Sequence, residues 1–174
     1  MKSINDQMRS YAAYHHDERN KATHFLGVPL VTLGLLIMLG WLRLVEEPIP
    51  VTGATLFYLA VSIYYFALDW RVALLQAPFT LTLLAAADVV SRWPWPESLA
   101  TFAATFGGGW IIQLVGHWFE GKRPALADNV LQIFNAPLFL VVEVLLALGF
   151  RQELRHALSE KDLAHPAVSE KVAN

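Results

Sequence analysis

Five long apolar stretches, parted by connections of only a few residues, leave this chain few folds to choose from. They run over about 25–45, 52–68, 72–90, 99–119 and 130–150 of 174 residues. A helix needs roughly 20 apolar residues, within a range of about 17–25, to cross the hydrocarbon core of a bilayer, so each stretch is a candidate span. The first three polar breaks are Glu46-Glu47-Pro48, Asp69-Trp70-Arg71 and Arg92-Trp93-Pro94-Trp95-Pro96. The second of them is short enough to be a tight hairpin. Trp41, Trp70, Trp93, Trp95 and Trp118 fall near stretch ends, where their amphipathic rings suit the membrane–water boundary. Charged residues make up 16% of the chain, against about a quarter in a soluble domain. The pattern predicts an all-α integral membrane protein, with a single membrane-embedded domain over 1–164 and a flexible tail over 165–174.

The polar N-terminus lacks the charged-then-apolar pattern of a cleaved signal. Ser3, followed by Asp6, is a plausible helix start, and a helix from about Ile4 to Lys21 would lie in the interface or pack on the bundle. Lys2, Arg9, Arg19 and Lys21 precede the first stretch, which keeps the N-terminus in the cytoplasm. Four crossings then return the chain to that side at 116–124, beside Lys122 and Arg123. The fifth stretch is interrupted by Asn135-Ala136-Pro137 and carries Glu143 at expected mid-depth. The basic residues after it, Arg151, Arg155, Lys161 and Lys171, also favour the cytoplasm. Four transmembrane helices plus a re-entrant or bent fifth satisfy all these charges, with a fifth crossing as the alternative. Gly107-Gly108-Gly109, inside the fourth stretch, suggests close helix packing.

The chemistry gathers at the cytoplasmic ends of these stretches. Tyr14-His15-His16-Asp17-Glu18-Arg19-Asn20-Lys21-Ala22-Thr23-His24 stands just before the first, and Gly116-His117-Trp118-Phe119-Glu120 closes the fourth. His16, Asn20 and His24 have the i, i+4, i+8 spacing of one helix face. His117 and Glu120, at i, i+3, can aim at one point. Imidazole suits iron, zinc or copper, and an added carboxylate shifts preference toward oxygen-handling non-haem iron. Asn20 is placed to orient a ligand or to bind water or substrate. Each residue also has an ordinary reading: His15 or His16 as an interfacial histidine, Tyr14 as an interface anchor, Glu120 as a partner of Lys122 or Arg123. The common face given to the two clusters by four crossings favours a joint metal site.

Other chemistries find less support. With no cysteine, thiolate metal sites, cysteine nucleophiles and disulfides are excluded. A net charge of −2 offers nothing to nucleic acid. Six histidines are too few for the several histidine boxes of di-iron membrane desaturases. The His-Glu-x-x-His of zinc proteases, Gly-rich phosphate loops and the Gly-x-Ser-x-Gly elbow are all absent from the sequence.

Tyr14-His15-His16 with Asn20 and His24, then Gly27-Val28-Pro29, resembles the N-terminal motif of the Mpo1-like family. Gln113-Leu114-Val115-Gly116-His117 with Glu120, Arg123-Pro124-Ala125-Leu126 and Asp128-Asn129 resembles its second motif. Ala136-Pro137-Leu138-Phe139 with Glu143 is also similar to that family, so the resemblance spans about 8–150. It implies an Fe(II)-dependent dioxygenase that shortens 2-hydroxy fatty acids by one carbon. His16, His24 and His117 are then the iron ligands, with His15 beside them, and Glu120 is a fourth ligand or a supporting group. Asn20 and Glu120 are the candidate catalytic residues. Tyr14, Lys21, Lys122 and Arg123, with Arg19, are candidates for drawing the substrate carboxylate to the metal. The implied partners are a 2-hydroxy fatty acid, O2 and the lipid bilayer, in a bacterial inner membrane or the endoplasmic reticulum. A metal-dependent membrane hydrolase and a non-enzymatic metal-binding scaffold are the alternatives. Oligomeric state stays open.

Overall fold

The computed structural model describes residues 4–12, 15, 17–121, 133–150 and 152. The N-terminal region is not one helix to Lys21 but two elements, α1 (Ile4–Ala12) and α2 (Glu18–Gly40). Asp17 breaks them apart. Its backbone is extended (φ −72°, ψ 126°), and its carboxylate accepts the Arg19 backbone N–H at 2.8 Å. A carboxylate at this position satisfies an orphan donor and meets the positive end of the helix dipole. Helix α2 therefore starts at residue 18, before the hydropathy rises at residue 25.

A small antiparallel hairpin, β1 (Arg43–Val45) and β2 (Val51–Thr52), turns the chain back into α3 (Gly53–Leu68). Asp69 alone then separates α3 from α4 (Trp70–Ser91), its Oδ1 accepting the N–H groups of Arg71 at 2.9 Å and Val72 at 3.2 Å. The fourth stretch is a rod from Trp95 to Glu120 made of α5 (Trp95–Phe102), a π-helical turn (Ala103–Gly107) and α6 (Gly108–Glu120). Helix α7 (Asn135–Ala147) follows.

Side-chain pairings set the directions. Gly40 at the end of α2 meets Ser91 at the end of α4, so these two run parallel. Along α2 and the rod the numbers run in opposition, with Gly34 on Phe106, Gly27 on Gly109 and Gln113, and Asn20 and Thr23 on Gly116. Gly53 at the start of α3 sits on Leu39 at the end of α2 and Leu42 just past it. The four long elements thus alternate in direction, which returns the end of α6 to the start of α2.

The seam between α2 and the rod is made by missing side chains. A Cβ at Gly27 would lie 2.6 Å from Gln113 Cγ, at Gly34 2.7 Å from Phe106 Cβ, and at Gly109 2.8 Å from Val31 Cγ2. One at Gly116 would fall on Thr23 Oγ1 and Asn20 Oδ1. In lipid, such contact takes over from hydrophobic burial as the force between helices. Of the glycine triplet, only Gly109 contributes; Gly107 and Gly108 face open space.

Helices α2 and α4 and the rod, at 23, 22 and 26 residues, are long and apolar enough to cross a membrane. Their outer faces expose Leu74, Leu81, Ile111 and Trp118, as lipid contact requires. Helices α3 and α7 are apolar but shorter, at 16 and 13 residues. At 1.5 Å per residue α7 is about 20 Å long, short of the roughly 30 Å hydrocarbon core. Pro137 does not kink it; it sits in the first turn, where its missing N–H has no intrahelical partner to lose.

Helix α7 packs at the end of the bundle where α2 begins. Its buried side chains cluster with Ile4, Met8 and Ala12 of α1, Val28 of α2, Tyr65 of α3 and Val72 and Ala73 of α4. Asn135 pins its start, accepting from Tyr64 Oη at 3.2 Å and donating to Gln7 Oε1 at 3.0 Å. Glu143, expected at mid-depth, instead lies beside the first turn of α2, 3.7 Å from Lys21 Nζ. The domain limit at 164 and the tail fall outside the described residues.

Candidate metal centre

Three chain segments meet at this end of the bundle: the turn after α1, the first turns of α2 and the last turn of α6. Each delivers one histidine. The His15 backbone N–H donates to Ala12 O at 3.0 Å, which carries the ring round the end of α1. The ring lies beside Phe139 of α7, with centroids 5.9 Å apart. His24 comes from α2 and His117 from α6. His15 and His24 are each 2% exposed and His117 6%. Ring centroids are 4.5 Å apart for His15 and His24, and 5.1 Å for His117 with either. One ligand atom from each lies within 4.8 Å of the others.

The chemistry of the donors follows from their partners. The Asn20 carbonyl lies 2.9 Å from His24 Nδ1, and because a carbonyl only accepts, Nδ1 carries the proton. The lone pair of neutral His24 is then on Nε2, which faces His15 Nε2 at 3.1 Å. A hydrogen bond from the distal ring nitrogen to a backbone carbonyl is the usual way of fixing a metal-ligating tautomer. Two nitrogens that each bind one ion at about 2.0–2.1 Å can be no more than about 4.2 Å apart, and this pair meets that limit. His117 Nδ1 is buried with no hydrogen-bond partner among the described residues. Leaving such an atom unsatisfied costs about 1–3 kcal/mol, which a bound group outside the protein's own hydrogen bonding would offset. The residues fit a metal ion.

Around the histidines stands a polar frame. Glu120 Oε2 accepts the Asp17 backbone N–H at 2.8 Å and the Asn20 side-chain amide at 3.0 Å. Asn20 is fully buried. The Arg19 guanidinium binds the Asp17 carboxylate at 2.7 Å and holds its pKa down to about 2. Arg19 also lies over the Phe119 ring, 4.6 Å from its centroid. Lys21 is held between Glu18 at 3.0 Å and Glu143 at 3.7 Å.

The structure therefore gathers His15, His24 and His117, with Asn20 and Glu120 behind them and Lys21 at the edge. His16, Tyr14, Lys122 and Arg123 lie outside the described residues. Three residues that the sequence reading quoted only within motifs take parts it did not assign. Asp17 caps α2 and presents its N–H to Glu120, a role signalled only by a carboxylate just ahead of helix formers. Gly116, beside His117, lets α6 close on Asn20. Phe139, quoted only within the family-like run Ala136-Pro137-Leu138-Phe139, backs His15.

The family model for 2-hydroxy-palmitic acid dioxygenase Mpo1-like proteins matches residues 1–148. A curated relative, the 2-hydroxy-palmitic acid dioxygenase MPO1 of Saccharomyces cerevisiae, is 32% identical over 163 residues, which cover 92% of this chain and 89% of the yeast protein. No solved structure matches the chain. The match takes in all three segments that carry His15, His24 and His117, and with most of both chains aligned the protein belongs to the Mpo1-like family.

Proposed function

We propose that this chain is an Fe(II)-dependent dioxygenase that removes the carboxyl carbon of 2-hydroxy fatty acids. The observation that carries the proposal is the buried cluster of His15, His24 and His117, in a chain similar over most of its length to a 2-hydroxy-palmitic acid dioxygenase. The reaction balances without a further reductant: R–CH(OH)–COOH and O2 give R–COOH, CO2 and H2O. The substrate supplies all four electrons, so no nicotinamide, flavin or 2-oxoglutarate site is needed.

His15, His24 and His117 would hold the iron, with His16 a further ligand from the same segment. When bound, the iron supplies a Lewis acid for the hydroxy-acid oxygens and a route for electrons to O2. The protein does the rest by position. The Asn20 carbonyl keeps the His24 proton on Nδ1, so its Nε2 stays a donor of electrons. Lys21, three residues before His24, offers a cation for the substrate carboxylate in exchange for the long contact to Glu143. Tyr14, Lys122 and Arg123 would complete that polar rim. An apolar groove of about 360 Å³ between α2, α4 and α7, bounded by Phe25, Pro29, Phe79 and Leu140, gives the acyl chain a place that opens to lipid.

In this reading α2, α3, α4 and the α5–α6 rod each cross the membrane, while α1 and α7 stay at the cytoplasmic face with the metal. The alternating directions of the four elements, and the packing of α7 beside α1 and the start of α2, support it. A three-histidine set also suits Zn(II) and an activated water, which favours a hydrolase as second reading. Detergent-purified protein loaded with Fe(II) or Zn(II) and given 2-hydroxyhexadecanoic acid or its methyl ester separates the two. The expected product, by mass spectrometry, is the one-carbon-shorter acid, formed with iron and O2 only. Hydrolysis of the acid's methyl ester by the Zn(II) form without O2, with no shortened acid from the Fe(II) form, would replace the dioxygenase with the hydrolase.

A further inference from the structure

We propose that Glu120 is the positioning residue that assembles the three histidines, holding the segments of His15 and His24 through one carboxylate oxygen. The inference rests on the metal reading above.

Helix α2 opens with half of a capping arrangement. Its N-cap is Asp17, whose side chain takes the Arg19 N–H. In a complete capping box the side chain three residues on accepts the N-cap backbone N–H. Here that residue is Asn20, and its amide points elsewhere, donating to Glu120 at 3.0 Å. The Asp17 N–H donates to the same Glu120 oxygen at 2.8 Å. The box is thus closed from another helix, by a residue 103 positions away.

What Glu120 grips explains why this matters. Asp17 is two residues past His15, so the bond to its N–H fixes the turn that carries that ring. Asn20 is four residues before His24 and takes the His24 Nδ1 proton on its carbonyl at 2.9 Å. Glu120 itself is one turn past His117 on α6. A single oxygen therefore sets two histidines relative to the third. Gly116 serves the same end, since any side chain there would push Asn20 away from Glu120.

The test uses Co(II), titrated into chelator-stripped full-length protein in detergent and followed by its visible absorption. Glu120→Ala is expected to weaken Co(II) binding by about 10–100-fold, the range for supporting groups behind metal ligands. Glu120→Gln keeps an amide oxygen able to accept both bonds, so it is expected to recover most of that loss. Unchanged Co(II) affinity in Glu120→Ala would overturn the proposal. So would Glu120→Gln binding no better than Glu120→Ala, because the carboxylate would then act as ligand or by its charge. If Glu120→Ala does not fold, Asn20→Ala removes one of the two bonds, and an affinity equal to wild type would again overturn it. His24→Ala and His117→Ala serve as reference. If they bind Co(II) normally, the metal reading itself fails; if they lose it while the Glu120 variants miss the pattern, only this inference fails.

Discussion

Replacing His117 with alanine is expected to strip the protein of metal and lower dioxygenase turnover by more than about 100-fold, beyond the range seen for supporting groups alone. His117 is the one histidine that α6 contributes to the cluster of described residues, and its Nδ1 has no partner within it. Removing the ring leaves donors from the N-terminal segment alone, with no histidine to close the site from α6. The neighbouring Trp118 is 77% exposed on the outer face and makes a sharp control. Trp118→Ala is expected to keep its metal. Metal content after desalting, read with turnover for both variants, decides the matter. Loss of activity in His117→Ala with full metal content would detach the histidine from the metal and assign it another role.

Gly116→Val is expected to destabilise the fold and empty the site together. The added Cβ would fall on Thr23 Oγ1 and Asn20 Oδ1, so α6 must move away from α2 at the level of the histidines. Overpacking of this kind costs about 1–3 kcal/mol, and here it also breaks the grip of Glu120 on Asn20 and Asp17. Thermal unfolding in detergent should show a clear drop, with metal content falling in parallel. Gly108→Ala meets open space and is expected to leave both unchanged. A Gly116→Val protein with wild-type melting and full metal would mean that the seam is looser than described.

Much of this architecture was legible because membranes impose a simple rule. A helix must satisfy its own backbone and present an apolar surface of sufficient length. Blocks at 52–68 and 72–90 therefore reappear almost residue for residue as α3 and α4. Hydropathy says nothing, however, about where a helix begins in the polar region. The start of α2 depends on Asp17, and the break before it separates the segment of His15 from the helix that carries His24. Asn20 and His24 of the i, i+4, i+8 face both lie on α2, and position 16 falls outside the described residues.

The last apolar stretch was harder for a related reason. A run of apolar residues fits a crossing helix and a buried internal one alike. What distinguishes α7 is its length between Asn135 and Ala147 and the tyrosines of α3 that bind its start. Glu143 was visible as an unusual charge, but its partner Lys21 lies 122 positions away and is joined to it only by packing. The glycines show the same limit. Gly27, Gly34, Gly109 and Gly116 read as small residues in apolar runs, and only the crossing of α2 with the rod shows that they carry the seam while Gly107 and Gly108 do not.

The most direct measurement follows O2 uptake and carboxyl-carbon release together, with anaerobically purified, Fe(II)-loaded protein and 2-hydroxyhexadecanoic acid labelled at C1. One O2 consumed for each labelled CO2 released, without added reductant, is the predicted result. Iron demonstrably bound, with O2 uptake absent or with the label retained in the acid, would contradict it.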